Sequence, residues 1–478
     1  MGALDSASTL LTSAANGLRS IYHPDVYDAH GRYGGAINRL LKFSTRKIEG
    51  DGITIQVVDK QSAPGRFSRS INGGFHRPKG IGVSKYTVTL SETDSSNNFS
   101  RLAASVQTTH LDLNRARKTK ASAIDFVKRI RDGALSHIGE TAAVHRHLDA
   151  TAKVATISTA TPKKNDRKLF SDCAALSTTG GARVQIINGS LAALPRGLQL
   201  SVYSSAGTYR FDVEVTDYNP RDRSVGFYGL DADGNPSSAI DLTGIAASDT
   251  LYISGEKDKG LISIGEWCKT PTAATGDSFF GKNREDPDFR WMQPHISGPT
   301  TARAFAPSDI DEMAIEAGYL EEDPEGGFVA LTTPEGTQTY KNAIGNDILI
   351  QYPTNAQKGE IIAAYGFDGN MYRHELLGRI MLQADPLAPP DEIKFLRPGD
   401  WETLSASSGG DNSMVPWEWL PGDVGEFWYR MNADNVEEGR STVYRADGMG
   451  LFCDICIAPW RQMVRRNCTF TAKPSAAA

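Results

Sequence analysis

The chain has 478 residues, of which 40% are hydrophobic and 23% charged, and its formal net charge is −6. This globular composition is sufficient for about three domains of the usual ~150 residues, each with a core of its own. No stretch approaches the ~20 consecutive apolar residues of a membrane span. The five cysteines are too few and too scattered for a disulfide framework, which favours folding inside a cell.

Charge is distributed unevenly along the chain. Residues 1–170 contain 26 Lys and Arg against 14 Asp and Glu, a net of +12, so the remainder carries −18. Two interpretations stay open: a basic region that faces nucleic acid or acidic partners, or a chance imbalance on a large surface.

The first 95 residues predict an arm and a long loop rather than a domain core. The N-terminus lacks the features of a secretory signal, and its apolar spacing predicts a short amphipathic helix that needs a partner. This spacing is formed by Leu10, Leu11, Ala14, Ala15 and Leu18. Residues 40–95 contain two extended pieces, "GITIQVVDK" and "KYTVTLSE", separated by a segment rich in Gly, Ser and Arg. We expect a loop that reaches another subunit or, alternatively, a mobile surface loop.

A long helix is predicted from Lys120 onwards. Apolar residues return there every three or four positions, which gives one narrow apolar face. They are Ile124, Val127, Ile130, Ala134, Ile138 and Ala142. About 30 residues of helix would span roughly 45 Å, so the sequence predicts a scaffold element.

Residues 166–258 change to a period of two. In "TYRFDVEVTDY", residues 208–218, apolar and polar side chains alternate as in a half-buried strand. Turn sequences such as "NPRD" and "DADGNP" separate further strand-like pieces. The block therefore predicts a small antiparallel sheet or barrel.

The last third mixes helices and extended pieces. "SDIDEMAIEAGYLEED" predicts a helix capped by Ser308 or Asp309, and "TTPEGTQTYKNAIG" predicts a shorter helix. Residues 386–422 are rich in Pro, Gly and Ser and predict loops. The final extended pieces are "EFWYRMN" and "GLFCDICIAPWRQMVRR".

The segment "GDSFFGKN", residues 276–283, matches a nucleotide-binding loop at seven of eight positions. That loop needs a Ser or Thr hydroxyl for Mg²⁺ and an immediately following helix. Asn283 cannot supply the hydroxyl, and Pro287 would interrupt the helix. We therefore interpret the segment as structural, with Phe279 and Phe280 as a packed anchor.

Neither the cysteine pair nor the histidines fit a known site. Cys453 and Cys456 form a C-x-x-C inside an apolar piece, which predicts two packed thiols rather than a redox or zinc motif. His23, Asp25, Asp28 and His30 in "HPDVYDAH", and His145 and His147 in "HRH", could in principle meet a metal. They lack the spacing of a known ligand set, so solvated or capping side chains are predicted. No catalytic motif is present, and we predict no catalytic residue, metal or cofactor.

The serial order of these blocks resembles the major capsid proteins of tailed bacteriophages, whose fold is the Hong Kong 97 type. The resemblance covers nearly the whole chain. The chain resembles in particular a branch of this family with a small β-domain inserted after the long helix. The resemblance depends on "LTSAANGLRSIYHPDVYDAHGRYGGAINRLLKF", "GDGITIQVVDKQSAPGRFSR", "RARKTKASAIDFVKRIRDGALSHIGE", "RVQIINGSLAALPRGLQLSVYSSAGTYRFDVEVTDY", "DSFFGKNREDPDFRW" and "GLFCDICIAPWRQMVRR".

This resemblance implies an α+β fold with a peripheral domain, an axial domain, an N-terminal arm, an extended loop, a spine helix and an inserted antiparallel β-domain. The implied boundaries are 1–44 for the arm, 45–95 for the extended loop, 96–165 for the peripheral domain with the spine helix, 166–258 for the inserted barrel-like domain, 259–430 for the return to the peripheral domain and the axial domain, and 431–478 for the C-terminal strands.

The resemblance also implies a shell subunit rather than an enzyme. Such subunits form hexamers and pentamers of an icosahedral head around DNA, with portal, scaffolding and decoration proteins as further partners and no membrane. Assembly would take place in the cytoplasm of the host bacterium, and the finished protein would reside in the virion. Another virion component, such as a tail or adhesion protein, is the alternative.

We expect the extended loop to make inter-subunit ion pairs with the acidic remainder. The candidate residues are Arg66, Arg69, Arg77 and Lys79. Some members of the family cross-link Lys to Asn between subunits, but no residue of this sequence marks the partner Asn or an activating carboxylate, so this chemistry is not carried over.

Overall fold

A computed structural model of the chain describes residues 37, 41, 44–48, 50–60, 82–91, 97–109, 138–159, 181–219, 223–237, 240, 242–271, 279–286, 288–318, 327–344, 371–374, 378–406, 416–421, 429–431 and 443–470. The predicted N-terminal helix, the basic loop at 61–81 and most of the predicted scaffold helix lie outside these residues.

The chain divides into two compact units. Unit 1 comprises Met1–Gly34, Arg101–Ala142 and Ser405–Phe452, and unit 2 comprises the remainder. Each unit is therefore built from segments far apart in the sequence, and each is described separately below.

In unit 2, both predicted extended pieces around the loop are strands, as the sequence predicts. Strand β1 (Ser44–Lys47) is followed by β2 (Gly52–Lys60) and β3 (Gly82–Thr89). β2 and β3 form an antiparallel hairpin whose register runs from Gly52↔Thr89 to Lys60↔Gly82. The hairpin thus holds the two ends of the 61–81 segment side by side.

The described end of the predicted scaffold helix is helical over residues 138–147. Ile138 and Ala142, two members of the predicted apolar face, are fully buried. The helical interpretation is confirmed for this part, while residues 120–137 lie outside the described ones.

A closed barrel of six antiparallel strands follows, in the order β10-β5-β6-β9-β8-β7. Its strands are β5 (Lys153–Thr159), β6 (Gly181–Ile187), β7 (Gln199–Tyr203), β8 (Tyr209–Asn219), β9 (Ser224–Gly229) and β10 (Thr250–Ile253). Its first strand begins at Lys153, before the expected boundary at residue 166. The period-two pattern of the sequence is read only from residue 166 onwards, and β5 lies before it.

The barrel is filled by the inward side chains of all six strands, which alternate with outward ones. These inward residues include Ile157, Val184, Ile186, Leu200, Val202, Val213, Val215, Val225, Phe227 and Leu251, all at most 1% exposed. The predicted strand "TYRFDVEVTDY" is β8. Tyr209, at the start of β8, is 51% exposed. The register of the β7–β8 pair shifts between Val202 and Tyr203, so the inward–outward alternation of β8 does not continue to Tyr209.

The chain enters and leaves the barrel at one point. Gly260 N–H donates to the carbonyl of Ala150 at 2.9 Å, and Asp258 N–H donates to that of Thr151 at 3.1 Å. We call this pair of crossing segments the barrel neck. Short helix α1 (Ile264–Trp267) begins four residues after Gly260.

Unit 2 also contains a mixed six-stranded sheet in the order β11-β21-β16-β13-β15-β14. Its strands are β11 (His295–Ser297), β13 (Phe328–Thr332), β14 (Met371–His374), β15 (Gly378–Ala384), β16 (Ile393–Leu396) and β21 (Met463–Arg465). β11–β21 and β13–β15 are parallel pairs, and the others are antiparallel. Strand β12 (Arg303–Ala304) pairs in parallel with β22 (Cys468–Thr469).

Both predicted helices of the last third are present. Helix α2 (Pro307–Gly318) contacts β21, and helix α3 (Pro334–Ile344) contacts β13 and β15. They share with the sheet a core that includes Phe305, Ile310, Met313, Phe328, Tyr340, Ile380, Phe395 and Met463. Thr333 caps α3, because its Oγ1 accepts from Gly336 N–H at 3.1 Å.

The capping of α2 differs from the prediction. The helix begins at Pro307, so Asp309 lies in its first turn, and its Oδ2 accepts from Ala306 N–H at 2.8 Å. Asp309 is only 1% exposed. Asp309 is therefore a residue of the first helical turn that accepts a hydrogen bond from the residue before the helix, and it is not the N-cap residue.

The C-terminal strands connect the two units along the chain. β20 (Val443–Cys456) begins in unit 1 and ends in unit 2. In unit 1 it pairs with β4 (Ser100–Thr109), β18 (Glu418–Trp419) and β19 (Tyr429–Met431). In unit 2, β1 pairs with β17 (Trp401–Ser405), and β17 pairs with β20. Strands β16, β17 and β18 thus lie within the 386–422 region for which loops were predicted, and that prediction is wrong for these residues.

Candidate functional site

The four basic residues predicted to make inter-subunit contacts (Arg66, Arg69, Arg77 and Lys79) lie outside the described residues. The structure describes the hairpin that carries them. The hairpin has one polar face and one apolar face, and the contacts of the apolar face fix the hairpin to unit 2.

One face of the hairpin is polar and exposed. Thr54 and Thr87 are directly opposite each other, with 3.1 Å between their hydroxyl oxygens, and both are exposed. Gln56 and Lys85 form the next pair on this face and are also exposed. An unpaired polar face of a two-stranded ribbon contributes little to its stability.

The opposite face anchors the hairpin to unit 2. Tyr86 and Val88 are at most 1% exposed. The Tyr86 ring lies 5.2 Å from that of Phe280, 6.2 Å from that of Trp267 and 6.0 Å from that of Trp291, measured between centroids. Tyr86 is therefore the residue that fixes the loop-bearing hairpin to an aromatic cluster.

Phe279 and Phe280 belong to the same cluster. Their rings are 4.4 Å apart, and Phe279 meets Trp267 edge-on at 4.6 Å. Both phenylalanines are at most 7% exposed. The prediction that they form a packed anchor is confirmed, and the structure adds that the object they anchor is the Tyr86 face of the hairpin.

The nucleotide-loop resemblance at 276–283 is a tight turn in its described part. Phe279 and Lys282 exchange both backbone hydrogen bonds, at 2.8 and 2.9 Å. The two central residues, Phe280 and Gly281, have φ of 49° and 71°, as type I′ turns require. The N–H groups of Phe279 and Lys282 are therefore used inside the turn, and Asn283 Oδ1 accepts from Glu285 N–H. None of these three N–H groups is available to a phosphate.

A buried arginine packs against the aromatic cluster. Arg284 is 0% exposed and lies over the Phe279 ring, with Cζ 4.3 Å from its centroid. It donates to the carbonyl of Glu266 at 3.0 Å and is 3.5 Å from the Glu266 carboxylate. Burial raises the pKa of Glu266 above its usual range, although Lys269, the Ala150 N–H and Arg284 act in the opposite direction. Glu266 also accepts from Ala150 N–H at 3.0 Å, which ties the barrel neck to this cluster.

The interpretation of "HRH" (145–147) as solvated or capping residues is wrong. His145 and His147 are 8% and 5% exposed, and Arg146 is 0% exposed. His145 Nε2 lies 3.2 Å from the Glu256 carboxylate, and His147 Nε2 lies 3.2 Å from that of Asp385. The carboxylates come from distant positions, so local spacing carried no signal for these pairs.

Arg146 pairs with Asp454 in a fully buried network. Arg146 Nε donates to Asp454 Oδ2 at 2.8 Å, and both side chains are 0% exposed. Ser263 and Thr403 hydroxyls each donate to the same carboxylate at 2.6 Å. A sequence signal for this network exists: a single Asp inside the apolar strand "LFCDICIA" requires a buried partner.

The C-x-x-C is the pair of packed thiols that the sequence predicts. Cys453 and Cys456 are free and at most 1% exposed. Burial raises the pKa of both thiols well above the usual value, with Asp454 adding to the effect at Cys453 and Asp400 at Cys456. Such thiols are inert as nucleophiles and ligands.

Asp385 fixes the chain near residue 37. Its Oδ2 accepts from Ile37 N–H at 3.0 Å and lies 3.2 Å from His147 Nε2, and Leu387 N–H donates to its Oδ1 at 3.0 Å. Burial alone would raise the pKa of Asp385, but the hydrogen bonds from His147, Leu387 and Ile37 outweigh it, so the pKa lies below the usual value.

Neither a metal centre nor a membrane-spanning helix is found in the part of the chain that the structure describes. No group of three or more His, Cys, Asp or Glu residues is arranged to hold a metal ion there. Within the same residues, none of the helices combines the length and apolar character needed to cross a bilayer.

Comparison with solved structures finds capsid chains. A chain of the cyanophage A-1(L) capsid matches with a TM-score of 0.44 at 10% identity, covering 91% of this chain and 92% of its own. The capsid of the native GTA particle matches at 0.39 and 8%, covering 89% and 88%. The mature capsid of bacteriophage PhiM1 matches at 0.37 and 9%, covering 92% and 89%.

The chain is similar to phage capsid proteins over most of its length. No protein-family model matches the sequence. No curated protein matches it either.

Proposed function

We propose that this chain is the major capsid protein of a tailed bacteriophage, with a fold of the Hong Kong 97 type. In this proposal it assembles into the hexamers and pentamers of an icosahedral head that encloses double-stranded DNA. Its role is structural rather than enzymatic.

The observation that carries the proposal is the β2–β3 hairpin. It pairs with no further strand among the described residues, its outer face is polar, and it carries a long segment rich in Gly and Arg at residues 61–81. A two-stranded ribbon with a long loop is marginal by itself. Tyr86 anchors the base of the hairpin in its own chain, and in this proposal a neighbouring subunit stabilises the loop that the hairpin carries.

The other elements fit the same architecture in chain order. The helical segment 138–147 is the end of the spine helix, and the closed barrel at 153–253 is the inserted β-domain. The mixed sheet with α2 and α3 is the axial domain, and β20 is the long strand of the peripheral domain.

Its partners follow from this role. Other copies of the chain form the shell, and portal, scaffolding and decoration proteins are the further partners. DNA lies against the inner face without sequence-specific contacts. The protein assembles in the cytoplasm of the host bacterium and resides in the virion.

Electron microscopy of the purified full chain, expressed alone and with its genomic neighbours, tests the proposal. Closed shells of uniform size are expected. Rings, tubes or fibres would favour a tail or adhesion protein, and a monodisperse monomer under all conditions would contradict the capsid role.

A charge-reversal variant tests the contacts proposed for the loop. Reversing the charge of two of the four basic residues, for example Arg69→Glu with Lys79→Glu, is expected to impair assembly because these side chains pair with acidic residues of a neighbour. Normal particles from this variant would remove the assigned loop contacts while leaving the capsid role intact.

A further inference from the structure

The outer face of the barrel carries three tyrosines where strands β10, β7 and β8 lie side by side. The Tyr203 ring is in the middle, 5.2 Å from that of Tyr252 and 5.6 Å from that of Tyr209, measured between centroids. Tyr203 and Tyr209 are also directly opposite each other in the register of β7 and β8. We call these three residues the tyrosine cluster, and none of the roles assigned above uses it.

The tyrosine cluster is not part of the barrel core. Val202 and Leu251, the strand neighbours of Tyr203 and Tyr252, are 0% exposed and fill the interior. Successive side chains of a strand point to opposite faces, so the two tyrosines stand on the outside, and Tyr209 beside them is 51% exposed. Apolar surface groups that lie together, rather than singly, mark interaction sites.

A lysine holds the rings in place. Lys257 Nζ lies 4.2 Å from the centroid of the Tyr203 ring and 5.7 Å from that of Tyr252. It also donates to the carbonyl of Gly207 at 3.4 Å. The loop that follows β10 is thereby tied to the turn between β7 and β8. Rings that are already fixed lose little conformational entropy when a ligand packs on them.

A carboxylate lies at the edge of the tyrosine cluster. Asp212 Oδ1 accepts from the Ser201 hydroxyl at 2.5 Å. Burial, and then the charge and hydrogen bond of Asp212, raise the pKa of Tyr209 above its usual value, so the Tyr209 hydroxyl keeps its proton and donates it to Asp212. An ionised carboxylate has about four acceptor sites. Beyond these two bonds, about two sites therefore remain for hydroxyl groups of a ligand.

The charges around the rings balance. Lys153 is opposite Tyr252 in the register of β5 and β10, and Arg210 Nη2 lies 3.2 Å from the Asp249 carboxylate. The charged side chains next to the rings in sequence or register are Lys153, Arg210, Lys257, Asp212, Glu214 and Asp249. Equal numbers of cations and anions favour a ligand without net charge.

We propose that the tyrosine cluster binds a neutral polysaccharide made of pyranose rings. A pyranose ring has an apolar C–H face, which packs on the exposed Tyr209 ring, and a rim of hydroxyls, which donate to the remaining acceptor sites of Asp212. Ligand sites of this kind combine aromatic surface with a few placed polar groups. The inference goes beyond the proposed capsid role and does not depend on it.

Two features favour a polysaccharide over a peptide or a nucleic acid. A closed barrel has no open strand edge, so a peptide cannot add its backbone to the sheet as an extra strand. Nucleic acids are held mainly through their phosphates by an excess of Lys and Arg, and the balanced charges around the tyrosine cluster supply no such excess.

Binding of the purified full chain to immobilised dextran, amylose, galactomannan and mixed-linkage β-glucan tests the proposal, with dextran sulfate as the charged counterpart. Biolayer interferometry measures the affinity for each polymer. We expect saturable binding to at least one neutral polymer that is about tenfold tighter than binding to dextran sulfate. Absence of binding to all four neutral polymers, or preference for dextran sulfate, would overturn the proposal.

Tyr209→Ala locates the site, with Tyr218→Ala as its matched control. Tyr218 lies on the same strand and is 45% exposed, but it is not a member of the tyrosine cluster. Tyr209→Ala should weaken polysaccharide binding about tenfold, and Tyr218→Ala should leave it unchanged. Tyr209→Phe keeps the packing face of the ring and should retain most of the affinity. Equal effects of the two alanine substitutions would contradict the assignment.

Sedimentation without polysaccharide distinguishes a contact between protein chains. The wild type and Tyr209→Ala are expected to self-associate equally. If Tyr209→Ala associates less and the wild type binds no neutral polymer, the tyrosine cluster is a protein interface and the proposal is wrong. Closed shells that bind no polysaccharide would reject this site and keep the capsid role, whereas polysaccharide binding by a chain that forms no shell would do the reverse.

Discussion

The buried side chains of His145, Arg146 and His147 each lie beside a carboxylate from another part of the chain. Arg146 meets Asp454, His147 meets Asp385, and the two acidic residues are separated from their partners by 308 and 238 positions. Buried ion pairs add little net stability by themselves, but loss of one partner leaves a charge without solvation. These pairs therefore make the fold intolerant of substitution at either end.

Asp454→Asn is expected to lower the free energy of unfolding by about 3–5 kcal/mol, because the buried Arg146 guanidinium loses its counter-charge. Urea denaturation followed by fluorescence measures the change. The control is Asp447→Asn, which breaks a partly exposed pair with Arg445 and should cost at most ~1 kcal/mol. Similar costs for the two variants would contradict the buried network.

Asp385 provides an acid-sensitive contribution. Its pKa is lower in the folded chain than the usual 3.8, so its ionised form stabilises the fold above about pH 4. That stability is lost as the pH falls through the folded pKa. The difference in unfolding free energy between the wild type and Asp385→Asn should therefore be constant at neutral pH and shrink below about pH 4. A difference that stays constant down to pH 2 would contradict this assignment.

At the scale of elements, the tight turn at 279–282 and the β2–β3 hairpin form one structure. The turn presents Phe279 and Phe280 to Trp267 and Tyr86, and Tyr86 holds the hairpin. The same residues that resemble a phosphate-binding loop in sequence thus hold the hairpin that precedes and follows residues 61–81.

Phe280→Ala should lower the free energy of unfolding by about 3–5 kcal/mol, since it removes a buried ring from a packed cluster. Lys282→Ala is the control within the same motif. The one contact assigned to its ammonium among the described residues is with the Phe289 ring, whose centroid is 5.0 Å from Nζ, so we expect the free energy of unfolding to change by less than ~0.5 kcal/mol. Thermal denaturation with and without ATP measures both effects. Stabilisation by ATP that requires Lys282 would reverse the assignment.

Two substitutions at Tyr86 distinguish the contribution of its ring packing from that of its hydroxyl. Its hydroxyl is buried without a partner in the described part of the chain, and burial raises its pKa above the usual value. Tyr86→Phe should therefore be neutral or stabilising, whereas Tyr86→Ala should cost about 3–5 kcal/mol.

Hydrogen exchange of β2 and β3 is the specific readout for this pair of variants. Tyr86→Ala is expected to increase exchange throughout both strands because the hairpin loses its contact with the aromatic cluster. Thr87→Ala, the neighbouring substitution on the exposed face, serves as the control. An unprotected hairpin in the wild type would show that Tyr86 does not anchor it.

At the scale of the whole molecule, the barrel is the most self-contained part. Its six strands close on themselves and its core comes from its own residues. It contacts the rest of unit 2 at the neck of Ala150 and Gly260 and at Ser190, whose hydroxyl donates to the Pro386 carbonyl. A closed barrel has no unpaired edge strand, so its backbone hydrogen bonds do not depend on the remainder of the chain.

An isolated fragment of residues 150–260 should fold alone and unfold cooperatively. Circular dichroism and the dispersion of amide proton resonances measure this directly. A fragment that lacks dispersed resonances would show that the neck, with the bond from Ala150 N–H to Glu266, is essential to the barrel.

Local patterns determined how much of this fold the sequence could predict. The alternation in β8, the helices with Thr333 and Asp309 at their starts, and the Phe279–Phe280 anchor all depend on neighbours within a few residues. The partners of His145, His147 and Asp454 and the closure of the barrel by β5 against β10 depend on contacts between residues far apart in the sequence. Periodicity carries no information about those contacts, and no sequence motif marks them.

The hydrogen bond between Ile37 and Asp385 also has a consequence for synthesis. Its two residues are 348 positions apart, and at ~5–20 residues per second the ribosome needs roughly 17–70 s to make the second after the first. The barrel, whose strands are contiguous, can fold during that interval. The order of translation therefore leaves the Ile37 N–H bonded to water until Asp385 has been synthesised.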